Sequence, residues 1–368
     1  MYEYYGLIID VGRVFVLIKI EKIMRLVLFK VASLIALFML TSCTILSEKI
    51  NKSLPLLSVS FIAVGDMPYL PKERAMLTAP HGEIVQAIKA FDPVVLLHFG
   101  DLKSGGTACT NELLLSRREQ LFNLWPFKVM FAPGDNDWTD CDRKSLMPRF
   151  DELERLTFLR ENYFSGEGSK LTNQLPNLIR QPDFIENAKW SVDGLVFGTI
   201  NIPGTNNGRA GIELGNSNLI YNEADRRDEF NQRWVDKLFN DAKHANGLVI
   251  TFQADIYQPS IQQFPVQCSA KNRSQCDGYM NIREYIEVKS AQLNKPVLII
   301  HGDTSAYCFH QPVVQTAKNL WRLNGLGDYK ISDAAQITFN PSNTNMPFNV
   351  VSLLGQQELP KVCEYRTK

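Results

Sequence analysis

Histidine is scarce in this sequence: five occur in 368 residues, as His81, His98, His244, His301 and His310. Imidazole suits borderline metals such as Zn²⁺ and Fe, so a chain this poor in it points away from them. Net charge is also lacking, because 39 basic residues match 39 acidic ones with no basic block and no acidic tail. Nothing therefore marks a nucleic-acid binder. The apolar stretch Val31–Leu40 is ten residues long, too short to span a bilayer comfortably. No two cysteines have CxxC spacing, which argues against a cysteine-ligated zinc. There is no repeat, no low-complexity tract and no interior linker, so the composition is that of a packed chain, except near the N-terminus.

What is present begins with a targeting pattern. Met24, Arg25 and Lys30 form a short basic region ahead of Val31–Leu40, and Leu40-Thr41-Ser42-Cys43 looks like a bacterial lipobox. In that reading Met24 is the true start, residues 1–42 are an extension plus signal peptide, and Cys43 carries a lipid. Residues 43–57 then tether one domain at 58–358, followed by a tail at 359–368. A signal anchor spanning Leu7 to Leu40 is the lesser alternative, since Arg13, Lys19, Glu21, Lys22, Arg25 and Lys30 interrupt it. The expected location is the bacterial cell envelope, on the outer or inner membrane through the lipid, facing the periplasm or the exterior.

Four apolar runs that read as buried strands end in Gly-Asp, at Gly65-Asp66, Gly100-Asp101, Gly134-Asp135 and Gly302-Asp303. Gly-Asp is a common turn pair, so one case means little. Four are different. Ligands of open α/β sheets bind beyond the carboxyl ends of strands, and converging carboxylates repel unless a cation or protons hold them. The pattern therefore predicts a metal site.

Strands are expected at 59–64, 94–99, 128–132, 189–192, 195–201, 248–252, 297–301, 335–339 and 348–354. Helices are expected at 81–91, 111–124, 148–163, 223–245 and 280–292, with 164–186 irregular. Early alternation of strand and helix followed by β-rich segments predicts a layered α/β sandwich with a central mixed β-sheet core flanked by helices.

In order, the strand ends give Asp66, then Asp101, then Asp135-Asn136-Asp137, then Gln253, then Asp303-Thr304-Ser305. This order resembles the calcineurin-like metallophosphoesterases, whose blocks run Asp-x-His, Gly-Asp, Gly-Asn-His-Asp/Glu, His and Gly-His-x-His. It covers about residues 58 to 310. A His-poor bacterial subgroup of that family is similar in more detail, to Gly65-Asp66-Met67-Pro68-Tyr69, to Gly100–Gly105 and to Gly134–Cys141. The resemblance implies a metallophosphoesterase-type fold and a metal-dependent phosphoester hydrolase. It puts Asp66, Asp101, Asp135, Gln253 and Asp303 at metal positions, and Asn136 where the family has its catalytic His. Pro68 and Ser305 replace two ligand imidazoles.

Asp101, Asp135, Gln253 and Asp303 would form an all-oxygen set for one divalent cation, Mg²⁺ or Mn²⁺ first and Ca²⁺ next. A second cation would have only Asp66 and the bridging Asp101. Asp66 and Asn136 are the expected catalytic groups; Asn136, Lys103 and Arg143 are candidates for holding a phosphorylated substrate. His98 and His301 read as core imidazoles, Asn206-Asn207 as turn residues and Arg226-Arg227 as a solvated helix face. The partners implied are a small phosphoester or other phosphorylated substrate and the membrane, with no nucleic acid. A lipid-anchored binding or scaffold protein without catalysis is the alternative. In an oxidising compartment Cys109, Cys141, Cys268, Cys276, Cys308 and Cys363 allow 15 disulfide pairings. Cys109 and Cys141 could meet above the sheet and Cys268 and Cys276 could close a loop, leaving Cys308 with Cys363.

Overall fold

The computed structural model describes residues 58–260 and 264–365, together with Met24 and Lys30. The signal segment, the linker 43–57 and the lipid site Cys43 lie outside the described residues. From Ser58 on, the described residues form one compact unit. Among them no helix is long and apolar enough to cross a membrane.

The elements follow in chain order as β1 (Val59–Val64), α1 (Pro71–Met76), α2 (Glu83–Phe91), β2 (Leu96–His98), α3 (Asn111–Leu124), β3 (Val129–Phe131) and α4 (Glu152–Leu159). Next come β4 (Ile179–Gln181), β5 (Phe184–Val192), β6 (Leu195–Thr199), α5 (Ser217–Ala242), β7 (Gly247–Thr251), α6 (Met280–Leu293) and β8 (Val297–His301). The last strands are β9 (Cys308–His310), β10 (Leu320–Asn324), β11 (Ala335–Phe339) and β12 (Phe348–Ser352).

They build two mixed sheets, ordered β12-β11-β1-β2-β3 and β4-β5-β6-β7-β8-β10-β9. In the first, β1, β2 and β3 run parallel; in the second, β6, β7, β8 and β10 do. Side chains alternate across each strand, and that alternation divides the apolar residues into layers. Phe61, Leu97 and Ile337 of the first sheet share a cluster with Phe197, Val249, Leu298 and Leu323 of the second, so the sheets pack on each other. Ile62, Val64 and Leu96 face the other way, onto Ile84 and Ile88 of α2 and Leu121 of α3. Leu248, Ile250 and Ile299 face Trp234 and Leu238 of α5 and Ile286 of α6. The result is helices, sheet, sheet, helices, the layered α/β sandwich that the sequence pattern predicts.

Three disulfides fasten the loops: Cys109–Cys141, Cys268–Cys276 and Cys308–Cys363, with Cα–Cα separations of 5.6, 5.0 and 5.1 Å. The first joins the loops that follow β2 and β3. The third holds the tail, where Leu359 is buried and Tyr365 accepts a hydrogen bond from Arg322 (2.9 Å).

Some boundaries differ from the sequence reading. The helix expected at 148–163 starts only after Asp151, whose carboxylate caps Glu154 N–H. The helix expected from Glu223 begins at Ser217, because Asn216 caps Asn218 and Leu219 N–H groups. Residues 164–186 are less irregular than expected: they hold β4 and the start of β5.

Candidate functional site

The parallel strands end level with one another, Val64 beside His98 and His98 beside Phe131 in one sheet, His301 beside Asn324 in the other. Asp66, Asp101, Asp135, Gln253 and Asp303 each follow such an end. Three of the four aspartates lie in the left-handed region, with φ of 49° at Asp66, 59° at Asp101 and 69° at Asp303. Aspartate visits that region more readily than most residues. At two of the motifs the aspartate, and not its glycine, makes the turn.

Those glycines serve close approach instead. A Cβ on Gly65 would lie 2.1 Å from the Phe99 ring, one on Gly302 2.7 Å and one on Gly325 2.2 Å. The ends of β1, β8 and β10 therefore close on one aromatic ring beneath the site. Other glycines leave room for carboxylates. A Cβ on Gly204 would lie 2.3 Å from Asp135 Oδ2 and 2.7 Å from Asp303 Oδ1, and one on Gly302 2.0 Å from Asp66 Oδ2.

A hydrogen-bond network holds the acids. Asp101 Oδ2 accepts from Asn136 Nδ2 (2.7 Å) and from the Tyr69 hydroxyl (3.0 Å), and its Oδ1 accepts from Asn136 N–H (3.1 Å). Asp303 N–H donates to Asp66 Oδ2 (3.1 Å). The Thr205 hydroxyl lies 3.0 Å from Asp135 Oδ2 and 2.7 Å from Asp140 Oδ1. One hydroxyl proton cannot satisfy both carboxylates. Beneath them Asp137 accepts from the N–H groups of Asp101, Leu102 and Gly134 at 2.9, 2.9 and 2.8 Å and fixes the turn.

Electrostatics favour protons or a cation here. Burial first, then the charges of Asp328 and Asp303, hold Asp66 well above the ordinary carboxylate range. Asp101 is raised likewise by burial and by Asp135 and Asp66. Burial and Asp303 push Asp135 up to about 6; burial and Asp255 push Asp303 to about 7. Burial and Asp135 bring Asp140 to about 7. The nearby positive groups are Lys103 and Arg143. Lys103 is fully buried, its ammonium donating to Ser104 O (3.3 Å), and Arg143 is paired with Asp140.

The donors suit a hard divalent cation in kind, being carboxylates and an amide in a cradle that a Cβ would fill. Two geometric facts qualify the fit. Gln253 turns its nitrogen to the acids, Nε2 lying 3.1 Å from Asp135 Oδ1 and 3.4 Å from Asp303 Oδ1, while its oxygen accepts from Gly204 N–H (2.5 Å). Among the described residues, moreover, no three of these acids bring an oxygen each within 4.8 Å of one another. Cys308, His310 and Cys363 do meet that spacing, but their two sulfurs are joined in the disulfide.

The structure thus brings Asp66, Asp101, Asp135, Asn136, Gln253, Asp303 and Arg143 together. A cavity of about 310 Å³ opens over Asp101, Asp135, Asn136 and Asp303, with Arg143 at its edge. Lys103 has no exposed surface; burial lowers its ammonium's pKa against the pull of Asp137 and Asp101. His301 uses both ring nitrogens elsewhere: Nε2 accepts from Arg322 Nε (2.9 Å) and Nδ1 lies 3.1 Å from Gly302 O. Arg227 corrects its expected place on a solvated face. It is buried, donates to Asn207 O (2.6 Å) and helps pin residues 205–207, whose φ angles are 53°, 54° and 58°.

Tyr69, Thr205, Asp140, Asp328 and Tyr329 were not expected. Asp328 belongs to a fifth strand-end Gly-Asp, Gly327-Asp328, after β10. Its signal was present but masked, because Arg322 and Asn324 break the apolar run before it. Tyr69 and Asp140 sit inside the blocks Gly65–Tyr69 and Gly134–Cys141; Thr205 and Tyr329 carry no pattern.

No family model and no curated protein matches the chain. Among the solved structures similar to it are the following two. GAP50, the anchor in the inner membrane complex of Plasmodium, is 11% identical, with 84% of this chain and 90% of that chain covered and a TM-score of 0.41. TT1561 of Thermus thermophilus is 8% identical, with 81% and 100% covered and a TM-score of 0.37. At such identities neither informs on the chemistry of the site.

Proposed function

We propose that this protein is a divalent-metal-dependent phosphoester hydrolase, tethered to a bacterial envelope membrane through a lipid on Cys43. The observation that carries the reading is the convergence of buried Asp66, Asp101 and Asp135 with half-buried Asp303 at level strand ends, the last three lining one open cavity. Asp101, Asp135, Asp303 and a reoriented Gln253 would hold the cation, Mg²⁺ or Mn²⁺ before Ca²⁺. When bound it supplies charge for the phosphoryl oxygens and lowers the pKa of a water. Arg143, 44% exposed, offers a guanidinium to the phosphoryl group. Asn136 Nδ2 donates to Asp101 and to the Tyr69 hydroxyl; it would have to exchange the longer of these bonds to reach a substrate oxygen and has no proton to give up, so leaving groups that depart unprotonated are favoured.

Hydrolysis of p-nitrophenyl phosphate and bis(p-nitrophenyl) phosphate, with and without Mg²⁺ or Mn²⁺, tests this. Turnover that needs metal and is lost in Asp101→Asn supports it. No turnover with any divalent metal, and metal-independent stability, would overturn it. One observation favours a second reading, a non-catalytic lipid-anchored binding protein: the nitrogen of Gln253 faces the acids, as suits a site held by protons. Protein purified with no divalent metal, and melting unchanged by Mg²⁺, Mn²⁺ or Ca²⁺, is the outcome that reading expects.

A further inference from the structure

At the lip of the same cavity Tyr69 and Tyr329 face each other, ring centroids 4.8 Å apart and planes inclined by 51°. Tyr69 is fixed, since its hydroxyl donates to Asp101 Oδ2 (3.0 Å) and accepts from Asn136 Nδ2 (3.2 Å). Tyr329 is 50% exposed. It ends a run of three left-handed residues, with φ of 136° at Gly327, 46° at Asp328 and 62° at Tyr329. A bulky residue with positive φ is an outlier, and such backbone persists only where surrounding structure enforces it. Here Asp328 N–H donates to Asp66 O (3.0 Å), and a Cβ on Gly327 would lie 2.6 Å from Gly65 O. The loop is thus pinned to the end of β1, and what it holds out is an aromatic ring beside the acids. Gly106, which also lines the cavity, leaves space there, since a Cβ on it would meet nothing within 4 Å.

We infer that Tyr329, backed by Tyr69, is a stacking platform for a planar aromatic group carried by the substrate's ester. The inference rests on the reading of this site as one for phosphoesters, and it narrows the substrate to aryl or nucleoside phosphates over polyol and sugar phosphates. Aryl esters also suit a site whose Asn136 cannot protonate the leaving group, because a phenolate departs without a proton.

The test is equilibrium binding, by ligand-detected NMR, of phenyl phosphate, AMP, ribose 5-phosphate and glycerol 2-phosphate to the full chain in Mn²⁺. At least one ring-bearing probe is expected to bind about fivefold or more tighter than the two ring-free ones. Which of phenyl phosphate and AMP does so separates aryl from nucleoside esters. Tyr329→Ala is expected to erase the preference while leaving glycerol 2-phosphate binding unchanged, and Tyr329→Phe to keep it. Equal binding of all four to the unmodified protein, or a Tyr329→Ala variant that weakens all four alike, overturns the platform alone. Binding of none overturns the phosphoester reading and the platform with it. The comparison among probes needs no variant, so it stands even if Tyr329→Ala does not fold.

Discussion

Gln253 meets Asp135 with its amide nitrogen, Nε2 to Oδ1 at 3.1 Å, and gives its oxygen to Gly204 N–H. A neutral donor therefore stands between Asp135 and Asp303, where two raised carboxyls would otherwise face each other. Replacing it by Gln253→Glu puts a third carboxylate there. In EDTA at pH 8 the variant is expected to lose about 1–3 kcal/mol of stability, the cost of a buried polar group left without its partner. Saturating Mn²⁺ should restore more stability to the variant than it adds to the unmodified protein. Thermal melts in EDTA and in MnCl₂ measure both. Equal melting of the two proteins in EDTA would show that the amide does not bridge the acids.

The same acids set a pH dependence. Asp135 titrates near 6 and Asp303 near 7 when folded, against about 3.9 for an unfolded aspartate. A raised carboxyl holds its proton longer in the folded state, so folding binds protons between those values. The stability this contributes is complete below about pH 4 and is lost as pH rises through 6 to 7. Metal-free protein in EDTA should thus melt higher at pH 5 than at pH 8, and a divalent cation should raise the melting temperature at pH 8 more than at pH 5. A flat profile in EDTA would mean that the carboxyls are not held together.

Much of the floor of this site is legible in sequence because its signal is local. A β-rich run that stops at Gly-Asp specifies both the strand and the aspartate at its end, and β1 and β8 fall at 59–64 and 297–301 as their apolar runs indicate. The walls are less legible. Strand β10 is Leu-Trp-Arg-Leu-Asn, and its buried Arg322 reads as solvent-facing until Asp255 (2.6 Å) and His301 appear beside it. Charge pairing across the second sheet is a tertiary fact, so no local pattern marks Gly327-Asp328 as a strand end. Thr205 and Tyr329 reach the site from left-handed loops, where no periodicity exists to be recognised. Lys103 reads as a loop lysine two residues past Asp101, and its complete burial is not visible in the sequence.

Asp137 has a different role from its acidic neighbours. Its three acceptor bonds to Asp101, Leu102 and Gly134 N–H groups join the turns after β2 and β3. Asp137→Ala leaves three buried donors without a partner, and the expected loss is about 3 kcal/mol or more. Asp101 would lose its fixed backbone with it, so metal-dependent stabilisation should disappear together with stability. Chemical denaturation with and without Mn²⁺ checks both. A variant that keeps the full metal response would show that the turn is held by other contacts.

Glu152 offers a control away from the cavity. It opens α4 with no exposed surface, and neither carboxyl oxygen has a hydrogen-bond partner among the described residues. Burial, then the charges of Asp142, Asp140 and Asp151, push it up to about 9, against the pull of Arg227. An acid raised this way contributes its full stability below the unfolded value near 4.3 and loses it as pH rises towards 9. Glu152→Gln removes the ionisation and keeps the shape. Between pH 5 and pH 8 the slope of stability against pH should flatten by up to about 1 kcal/mol per pH unit. The variant should be the more stable protein at pH 8 and indistinguishable near pH 4.5. Denaturant titrations across that range read the slope directly. Because Glu152 lies outside the metal-binding set, its effect should be the same in EDTA and in Mn²⁺. An effect that vanishes in Mn²⁺ would instead tie Glu152 to the acid cluster.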